Sequence, residues 1–174
     1  MKRRTRSIAI LLILLSAGAA GCIQLEGGAP AEVEAPADAG AGEVPFRLAG
    51  PTEAAIVVEA EVNGQGPFDL VLDTGATFTC LDEELARELE LPEARVQGVG
   101  AGLGGSGRMR VVRLESVKVG GATARDMLGC AVDLRHFQEL PGLDIDGLLG
   151  LNFLKSFHVS LDFERQVLTL EAAR

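Results

Sequence analysis

The sequence predicts an all-β domain with one or two short helices, and three observations lead to this fold class. Apolar and polar residues alternate with a period of two over residues 58–62, as in a strand with one buried face. Residues 63–67 then supply the Asn, Gly and Pro that are typical of a tight hairpin turn. Helical patterning is confined to short segments, of which residues 82–89 are the clearest.

The first 21 residues have the organisation of a secretory signal peptide. Four basic residues among the first six are followed by an apolar stretch at 8–15 and by small residues at 16–21. Counted generously, the apolar stretch covers residues 8–20, which is shorter than the roughly 20 residues that a membrane-spanning helix needs. We therefore interpret residues 1–21 as a cleaved signal and not as a membrane span.

The end of this segment, Ala19-Ala20-Gly21-Cys22, resembles the bacterial lipobox, in which the cysteine is lipidated and becomes the first mature residue. The small residues before Cys22 fit that pattern, whereas Ala19 stands where the pattern prefers leucine. The resemblance implies an exported protein of the bacterial cell envelope, held to the membrane by a lipid anchor on Cys22 and facing the periplasm or the exterior. Ordinary secretion with cleavage nearby is the alternative.

Residues 22–44 predict a flexible linker. They are rich in Ala, Gly, Pro and Glu and contain too little apolar surface to offset the entropy lost on ordering. The folded domain is therefore expected to span residues 45–174. Its core must be aliphatic, because the chain contains no Trp, no Tyr and only seven Phe.

The charge of the chain argues against one class of partner. Its net charge is −9 at pH 7, and it becomes −13 once the four basic residues of the signal are removed. No stripe of Lys and Arg with interleaved aromatic residues occurs in the sequence. We therefore do not expect this protein to bind nucleic acid.

The remaining elements of the domain follow in chain order. A short strand is predicted at residues 76–81, and a helix at 82–89 in which Asp82 can cap the first turn and early acidic residues favour its N-terminus. Further strands are predicted at residues 70–73, 108–114, 117–119, 127–134, 159–163 and 167–170.

The first motif with chemical meaning is Asp73-Thr74-Gly75, which lies at the end of the hydrophobic run 68–72. Gly75 permits a tight turn that aims the carboxylate of Asp73 outward. The hydroxyl of Thr74 can hydrogen-bond across the loop and hold its geometry. The motif is thus a rigid mount for one carboxylate, which can activate a water molecule.

A second motif lies about 70 residues further along the chain. Taken by itself, it predicts a short buried strand that ends at its last glycine, followed by a turn or helix start with Asn152 as a plausible cap. This pattern alone indicates core packing. The members of the second motif are Asp146, Gly147, Leu148, Leu149 and Gly150.

Together the two motifs resemble those of the retropepsin-like aspartic peptidases, specifically the bacterial single-domain members of that superfamily. The resemblance covers nearly all of residues 45–174 and implies a single-lobed acid protease barrel. It also implies that Asp73 is catalytic and that the second motif packs beside its loop and is followed by a short helix. The implied activity is that of an endopeptidase on peptide or protein substrates, without a cofactor.

Hydrolysis by such a site needs two carboxyl groups. One must be ionised to activate water and the other protonated to donate to the carbonyl, and two carboxyls held close together share a proton in this way. The chain contains a single D-[ST]-G sequence, and neither Asp146 nor Asp162 lies on such a turn. We therefore expect a homodimer in which Asp73 of each subunit meets its copy at the two-fold axis.

A glycine-rich stretch, residues 98–107, holds six glycines. In the family that the motifs resemble, a glycine-containing hairpin in this place forms a flap over the substrate, which implies flap roles for Gly102, Gly104 and Gly105. A merely mobile loop is the alternative. Residues 100–105 also match the dinucleotide fingerprint G-x-G-x-x-G, but that fingerprint requires a helix to begin there, and residues 108–114 predict a strand.

Other reactive side chains give weaker functional signals. Cys80 and Cys130 can form a disulfide in an exported protein, or remain as two buried thiols. His136 and His158 are isolated from each other and from the cysteines, so no metal site is predicted. Ser106 lacks the G-x-S-x-G elbow of a serine hydrolase.

Two functions from different classes therefore remain. The first is an envelope-tethered, dimeric aspartic endopeptidase that uses Asp73. The second is a non-catalytic lipoprotein that uses the same β-fold as a peptide-binding or scaffolding module. Only an assembled pair of carboxylates would bind a transition-state inhibitor, so inhibitor binding and the oligomeric state discriminate between them.

Overall fold

A computed structural model describes residues 24–26, 42–94, 97–102, 105–138 and 140–172. This part of the chain is mostly β-structure, with three short α-helices and a 3₁₀ turn at Pro51–Glu53. The strands are β1 (Gln24–Glu26), β2 (Gly42–Pro45), β3 (Arg47–Ala49), β4 (Ala55–Val62), β5 (Gln65–Leu72), β6 (Thr79–Asp82), β7 (Gln97–Gly102), β8 (Gly105–Val119), β9 (Ala122–Val132), β10 (Gly147–Leu149), β11 (Phe157–Asp162) and β12 (Val167–Ala172). The helices are α1 (Glu83–Glu88), α2 (Arg135–Gln138) and α3 (Leu151–Leu154).

Six strands close into a barrel of mixed strand direction, in the order β4, β5, β10, β6, β9 and β8. Strand β8 returns to β4 where Glu61 pairs with Lys118 and Val62 with Val117. The pairs β5–β10 and β6–β9 are parallel, and the other pairs are antiparallel. The all-β prediction is therefore confirmed, and the described residues contain three short α-helices where one or two were predicted.

The barrel is filled by aliphatic side chains, as the composition predicts. Val62, Leu70, Leu81 and Leu149 are completely buried, and Phe153 of α3 closes the same cluster. Burying each of these side chains contributes about 1.5–3 kcal/mol to folding. The second motif therefore supplies one of the core leucines of the barrel.

The predicted hairpin and the predicted helix both occur. Strands β4 and β5 are joined by Asn63 and Gly64, whose φ angles of 50° and 74° are those of a two-residue turn that matches the strand twist. Helix α1 begins after Asp82, whose Oδ1 accepts a hydrogen bond of 2.9 Å from the backbone N–H of Glu84. Within the described residues, no helix is long and apolar enough to span a membrane.

Several strands are longer than the sequence predicts, and β8 also joins two predicted strands into one. Residues 108–114 and 117–119, which the sequence predicts as separate strands, belong to the single strand β8. Its pairing with β9 keeps one register from Leu114, opposite Met127, to Ser116, opposite Arg125. Glu115 is exposed and Ser116 partly buried, so the strand accommodates both polar residues without a break.

A second, three-stranded sheet has the order β11, β12, β2. Val44, Leu168 and Leu170 from this sheet are buried in the barrel core. Strand β2 thus begins at Gly42, three residues before the predicted start of the domain, because Val44 packs in the core although the residues around it have the composition of a linker.

Strand β1 also lies inside the segment for which a flexible linker is predicted. It pairs antiparallel with β7, Leu25 being opposite Gly98. This pairing uses backbone groups, so amino-acid composition gives no signal for it. The signal peptide, Cys22 and residues 27–41 of the linker lie outside the described residues.

Candidate active site

Residues 73–78, here called the Asp73 loop, connect the end of β5 to the start of β6. Strand β10, from the second motif, lies between these two strands. It runs parallel to β5, with Leu149 opposite Leu72, and antiparallel to β6, with Leu148 opposite Cys80. The structure therefore brings the two motifs together, although about 70 residues separate them in the sequence.

Backbone hydrogen bonds fix Asp73 in its loop. Its N–H donates to the carbonyl of Leu149 over 3.0 Å, and its Oδ1 accepts the N–H of Gly75 over 2.8 Å. Its own carbonyl accepts the N–H of Ala76 over 3.3 Å. Among the described residues none donates to Oδ2, so this half-buried carboxylate keeps one oxygen available for a water molecule or a second carboxyl group.

Gly75 follows Asp73 closely, but the turn does not depend on the conformational freedom predicted for this glycine. Its φ lies outside the left-handed region, whereas a Cβ at this position would lie 3.1 Å from Oδ1 of Asp73. Thr74 is exposed, and within the described part of the chain its hydroxyl makes no hydrogen bond across the loop. In a single chain, Thr74 therefore does not hold the loop as predicted.

The residue that holds the loop is Asn152, which the sequence predicts only as a helix cap. Helix α3 is preceded by Gly150, and no side chain caps it. Oδ1 of Asn152 instead accepts the backbone N–H and the hydroxyl of Thr79 over 2.7 and 3.0 Å, and its Nδ2 donates to the carbonyl of Leu128 over 2.7 Å. A side-chain amide therefore joins the exit of the Asp73 loop to strand β9.

Helix α3 makes further bonds to the Asp73 loop. The N–H of Leu151 donates to the carbonyl of Ala76 over 2.8 Å, and the N–H of Gly150 donates to the hydroxyl of Thr79 over 3.2 Å. A Cβ at Gly150 would collide with the carbonyl of Phe78 and lie 2.8 Å from the nitrogen of Thr79. Glycine is required here because the two backbones are in direct contact.

Asp146 lies at the opposite end of the same strands. Its N–H donates to the carbonyl of Asp69, and its Oδ2 accepts the N–H of Asp69, both over 2.8 Å. Asp69 precedes Asp73 by four residues of extended chain, which is about 13 Å. Burial raises the pKa of Asp146, and the nearby acidic residues add to this increase, while the hydrogen bond from Asp69 opposes it.

Asp162, the other candidate for the second acid, accepts hydrogen bonds in a different part of the fold. Asp162 lies at the end of β11, where its Oδ1 accepts the N–H groups of Glu164 and Arg165 over 3.0 and 2.9 Å. These bonds shape the turn into β12. Neither Asp146 nor Asp162 is therefore placed to share a proton with Asp73.

In the structure, Cys80 and Cys130 are joined by a disulfide. They are opposite each other in the parallel pairing of β6 and β9, with their Cα atoms 4.4 Å apart. Cys80 directly follows Thr79, and Phe78 packs in the same small apolar cluster. The disulfide therefore links the two strands immediately after the Asp73 loop.

The glycine-rich stretch forms the antiparallel hairpin β7–β8. Gly102 and Gly105 are its last described pair, and Gly104 lies outside the described residues. The strand that follows this stretch is β8, so no helix begins where a dinucleotide fingerprint would need one. At the base of the hairpin, Met109 packs against the apolar cluster of Phe78, Cys80 and Cys130, which adjoins the Asp73 loop.

Two further observations bear on other chemistry. In the ranges that the structure describes, no group of three or more His, Cys, Asp or Glu side chains is placed to hold a metal ion. A cavity of about 430 Å³ lies away from Asp73, between β2–β3 and the β4–β5 hairpin, and its charged lining includes Arg47, Glu59 and Lys118.

The closed barrel and the Asp73 loop together define an aspartyl protease-type domain. Residues 58–153 match the family model described as aspartyl protease, and this chain belongs to that family. The chain is 29% identical over 120 residues to DNA damage-inducible protein 1 of Phaeosphaeria nodorum, and 30% identical over 118 residues to UBA domain-containing protein Mud1 of Schizosaccharomyces pombe. These matches cover 67% and 66% of this chain but only 25% and 32% of the two relatives.

A comparison with solved structures gives the same fold. The chain is similar to a retropepsin-like aspartic protease from Rickettsia conorii, with a TM-score of 0.52 and 21% sequence identity over 80% of this chain and 96% of that one. The predicted retropepsin-like barrel is therefore confirmed.

Proposed function

We propose that this protein is an aspartic endopeptidase that works as a homodimer and uses Asp73 of both subunits. The observation that carries the proposal is the Asp73 loop itself. It holds one oxygen of Asp73 through Gly75 and leaves the other without a donor among the described residues. Each chain supplies one such carboxylate, and the reaction needs two.

The chemistry follows from a shared proton. Two carboxyl groups in contact cannot both ionise, so one Asp73 is a carboxylate and the other a carboxylic acid. The carboxylate takes a proton from water as the water oxygen attacks the peptide carbon, and the acid donates its proton to the carbonyl oxygen. The pair then protonates the amine nitrogen as the C–N bond breaks and takes back one proton from a hydroxyl of the tetrahedral intermediate, which leaves the carboxylic acid product and restores the shared proton.

Exposed apolar groups beside the Asp73 loop support the dimer. Leu151 is 42% exposed although it begins α3 and its N–H is bonded to the loop at Ala76. Strand β11, which follows α3, is an open edge in the described sheet. On it, Val159 is 40% exposed although its cross-strand neighbour Leu170 is buried. Exposed apolar side chains and an open strand edge each favour association with another chain.

The proposal is tested with Asp73→Asn, which preserves the shape of the side chain and removes the ionisable group. We expect hydrolysis of a peptide library to be lost by at least about a thousandfold, because neither subunit can then act as the base. Circular dichroism and sedimentation should match the wild type. Asp144→Asn, at an exposed carboxylate outside the loop, is the control and should keep full activity.

Binding of a pepstatin-type inhibitor gives a second, independent measure. The wild-type dimer should bind the inhibitor, and Asp73→Asn should bind it much more weakly. Undiminished hydrolysis by Asp73→Asn would refute the proposal. A wild-type protein that stays monomeric and binds no inhibitor would favour the alternative, a non-catalytic peptide-binding or scaffolding module.

We also propose that the protein is exported to the bacterial cell envelope and anchored by a lipid on Cys22. The support comes from the likeness of residues 19–22 to a lipobox and from the disulfide between Cys80 and Cys130, which persists in oxidising compartments. Labelled fatty acid should be incorporated into the wild type and not into Cys22→Ser. Equal labelling of both proteins, or of neither, would rule out this anchor.

A further inference from the structure

Strand β8 passes from the β7–β8 hairpin into the barrel between Met109 and Arg110. As far as Met109, opposite Gly98, it pairs with β7, and from Arg110, opposite Ala131, it pairs with β9 in the barrel. The segment that leads into β7 is attached to the barrel just beyond this point, because the N–H of Ala94 donates to the carbonyl of Val111 over 2.9 Å. Arg110 therefore lies where the β7–β8 hairpin leaves the barrel.

The guanidinium of Arg110 contacts two acidic side chains from different elements. Its Nε and Nη2 both lie 3.2 Å from Oε1 of Glu83, at the start of α1, and its Nε lies 3.8 Å from Oε1 of Glu93, in the segment before β7. The Arg110 side chain is only 24% exposed, against 37% and 70% for Glu83 and Glu93. Its Nη2 is buried and has no aligned hydrogen-bond acceptor in the described residues. The charge of Arg110 is therefore balanced by these two carboxylates.

This ion-pair cluster joins three parts of the molecule: helix α1, the segment entering β7, and strand β8. The neighbouring residue Met109 packs against the cluster of Phe78, at the end of the Asp73 loop. From the pair Gly98–Met109 to the pair Gly102–Gly105, the hairpin extends four residues, or about 13 Å. A tilt of about 15° at the base would thus move its far end by about 3 Å.

We infer that Arg110, with Glu83 and Glu93, is a positioning residue of the peptidase: the cluster fixes the angle of the β7–β8 hairpin and thereby the binding of substrate beside Asp73. This inference rests on the proposed function. Arg110 acts through the hairpin and not on the reacting atoms. Its loss should therefore affect substrate binding more than the chemical step.

The test compares Glu83→Gln with the matched variant Glu61→Gln. Glu61, on β4, forms an ion pair of 3.0 Å with Lys118 on β8. This pair lies where β8 meets β4 in the barrel, far from the β7–β8 hairpin. For Glu83→Gln we expect the KM for a fluorogenic peptide to rise roughly three- to tenfold and kcat to stay within about twofold. For Glu61→Gln we expect both constants to be unchanged.

Hydrogen exchange provides a readout that does not depend on activity. Backbone amides of residues 97–102 and 105–109 should exchange about tenfold faster in Glu83→Gln, with no change in Glu61→Gln. Arg110→Lys retains the charge but not the forked geometry, so it should give an intermediate effect. The exchanged pair Glu83→Arg with Arg110→Glu should recover part of the wild-type KM and exchange.

Three results would overturn the inference: hairpin exchange that is unchanged in Glu83→Gln, equal effects of Glu61→Gln, or a loss confined to kcat. If the wild type hydrolyses no peptide at all, the proposed function fails. Hydrogen exchange of the hairpin amides then still decides whether Arg110 fixes the angle of the hairpin.

Discussion

At the scale of single residues, the geometry around Asp73 depends on hydrogen bonds formed by Thr79 and Asn152. Thr79 is completely buried, and its hydroxyl both donates to Asn152 and accepts the N–H of Gly150. The sequence predicts the position of Asp73 because its motif is local. It does not predict the partner of Asn152, which lies 73 residues away in the chain, because only the fold brings the two together.

Replacing Thr79 with valine tests this network. The change keeps the side-chain shape and removes the hydroxyl, so the N–H of Gly150 loses its acceptor in a buried place. We expect Thr79→Val to lower the free energy of unfolding by about 1–3 kcal/mol. Thr77→Val, at an exposed position in the same loop, should change it by less than about 0.5 kcal/mol. Urea unfolding measures both, and equal effects would mean that the network contributes nothing.

At the scale of elements, the period-two pattern predicts most strands but not the sheets that they form. The β4–β5 hairpin and α1 carry their own turn and cap signals, so their prediction needs only local sequence. Strand β10 has three residues and is stabilised by β5 and β6 on either side, and β1 and β2 pair through backbone groups in a segment with the composition of a linker. The sequence predicts β10 as a short buried strand, but its two partners, like the pairings of β1 and β2, depend on distant residues that a local pattern does not contain.

Asp146, which directly precedes β10, makes the free energy of unfolding depend on pH. Burial raises the pKa of Asp146 above its ordinary value of 3.8, so the folded protein holds this proton more tightly than the unfolded chain. From about pH 3.8 upward to the raised pKa, the contribution of Asp146 to the free energy of unfolding therefore falls as the pH rises. Above the raised pKa, the partly buried carboxylate of Asp146 is ionised and lowers the free energy of unfolding. Well below pH 3.8 the group is protonated in both the folded and the unfolded chain, so it does not lower the free energy of unfolding there.

Asp146→Asn should remove this contribution while keeping an oxygen that can accept the N–H of Asp69. We expect the stability of the variant relative to the wild type to increase as the pH rises from about 3.5 to 6.5. Urea unfolding at several pH values measures the difference. Asp144→Asn, at the exposed neighbouring carboxylate, should give a much flatter difference. A relative stability of Asp146→Asn that declines over this range would contradict the assigned direction of the pKa change.

At the scale of the whole molecule, one chain contains half of the proposed site. The barrel places Asp73 at a loop beside the exposed Leu151, and the chain offers no second carboxylate for Asp73 among the two acidic residues considered, Asp146 and Asp162. A dimer would supply the missing carboxyl group and cover Leu151 in the same step. Association and activity should therefore respond together to a change at Leu151.

The exposed leucines of the described chain provide a matched pair for this test, because Leu151 and Leu140 are both 42% exposed. Leu151→Glu places a charge beside the Asp73 loop, where desolvating it in an interface should weaken association by about tenfold to a hundredfold. Leu140→Glu carries the same change in the turn after α2 and should leave association as it is.

Sedimentation velocity over a dilution series gives the dimer dissociation constant, and peptide hydrolysis at the same concentrations gives the activity. For Leu151→Glu, specific activity should fall at concentrations where the wild type is still dimeric, and it should recover when the protein is concentrated. Loss of activity at every concentration with an intact dimer would show that Leu151 acts within the site and not through association, while equal behaviour of the two variants would remove this surface from the dimer altogether.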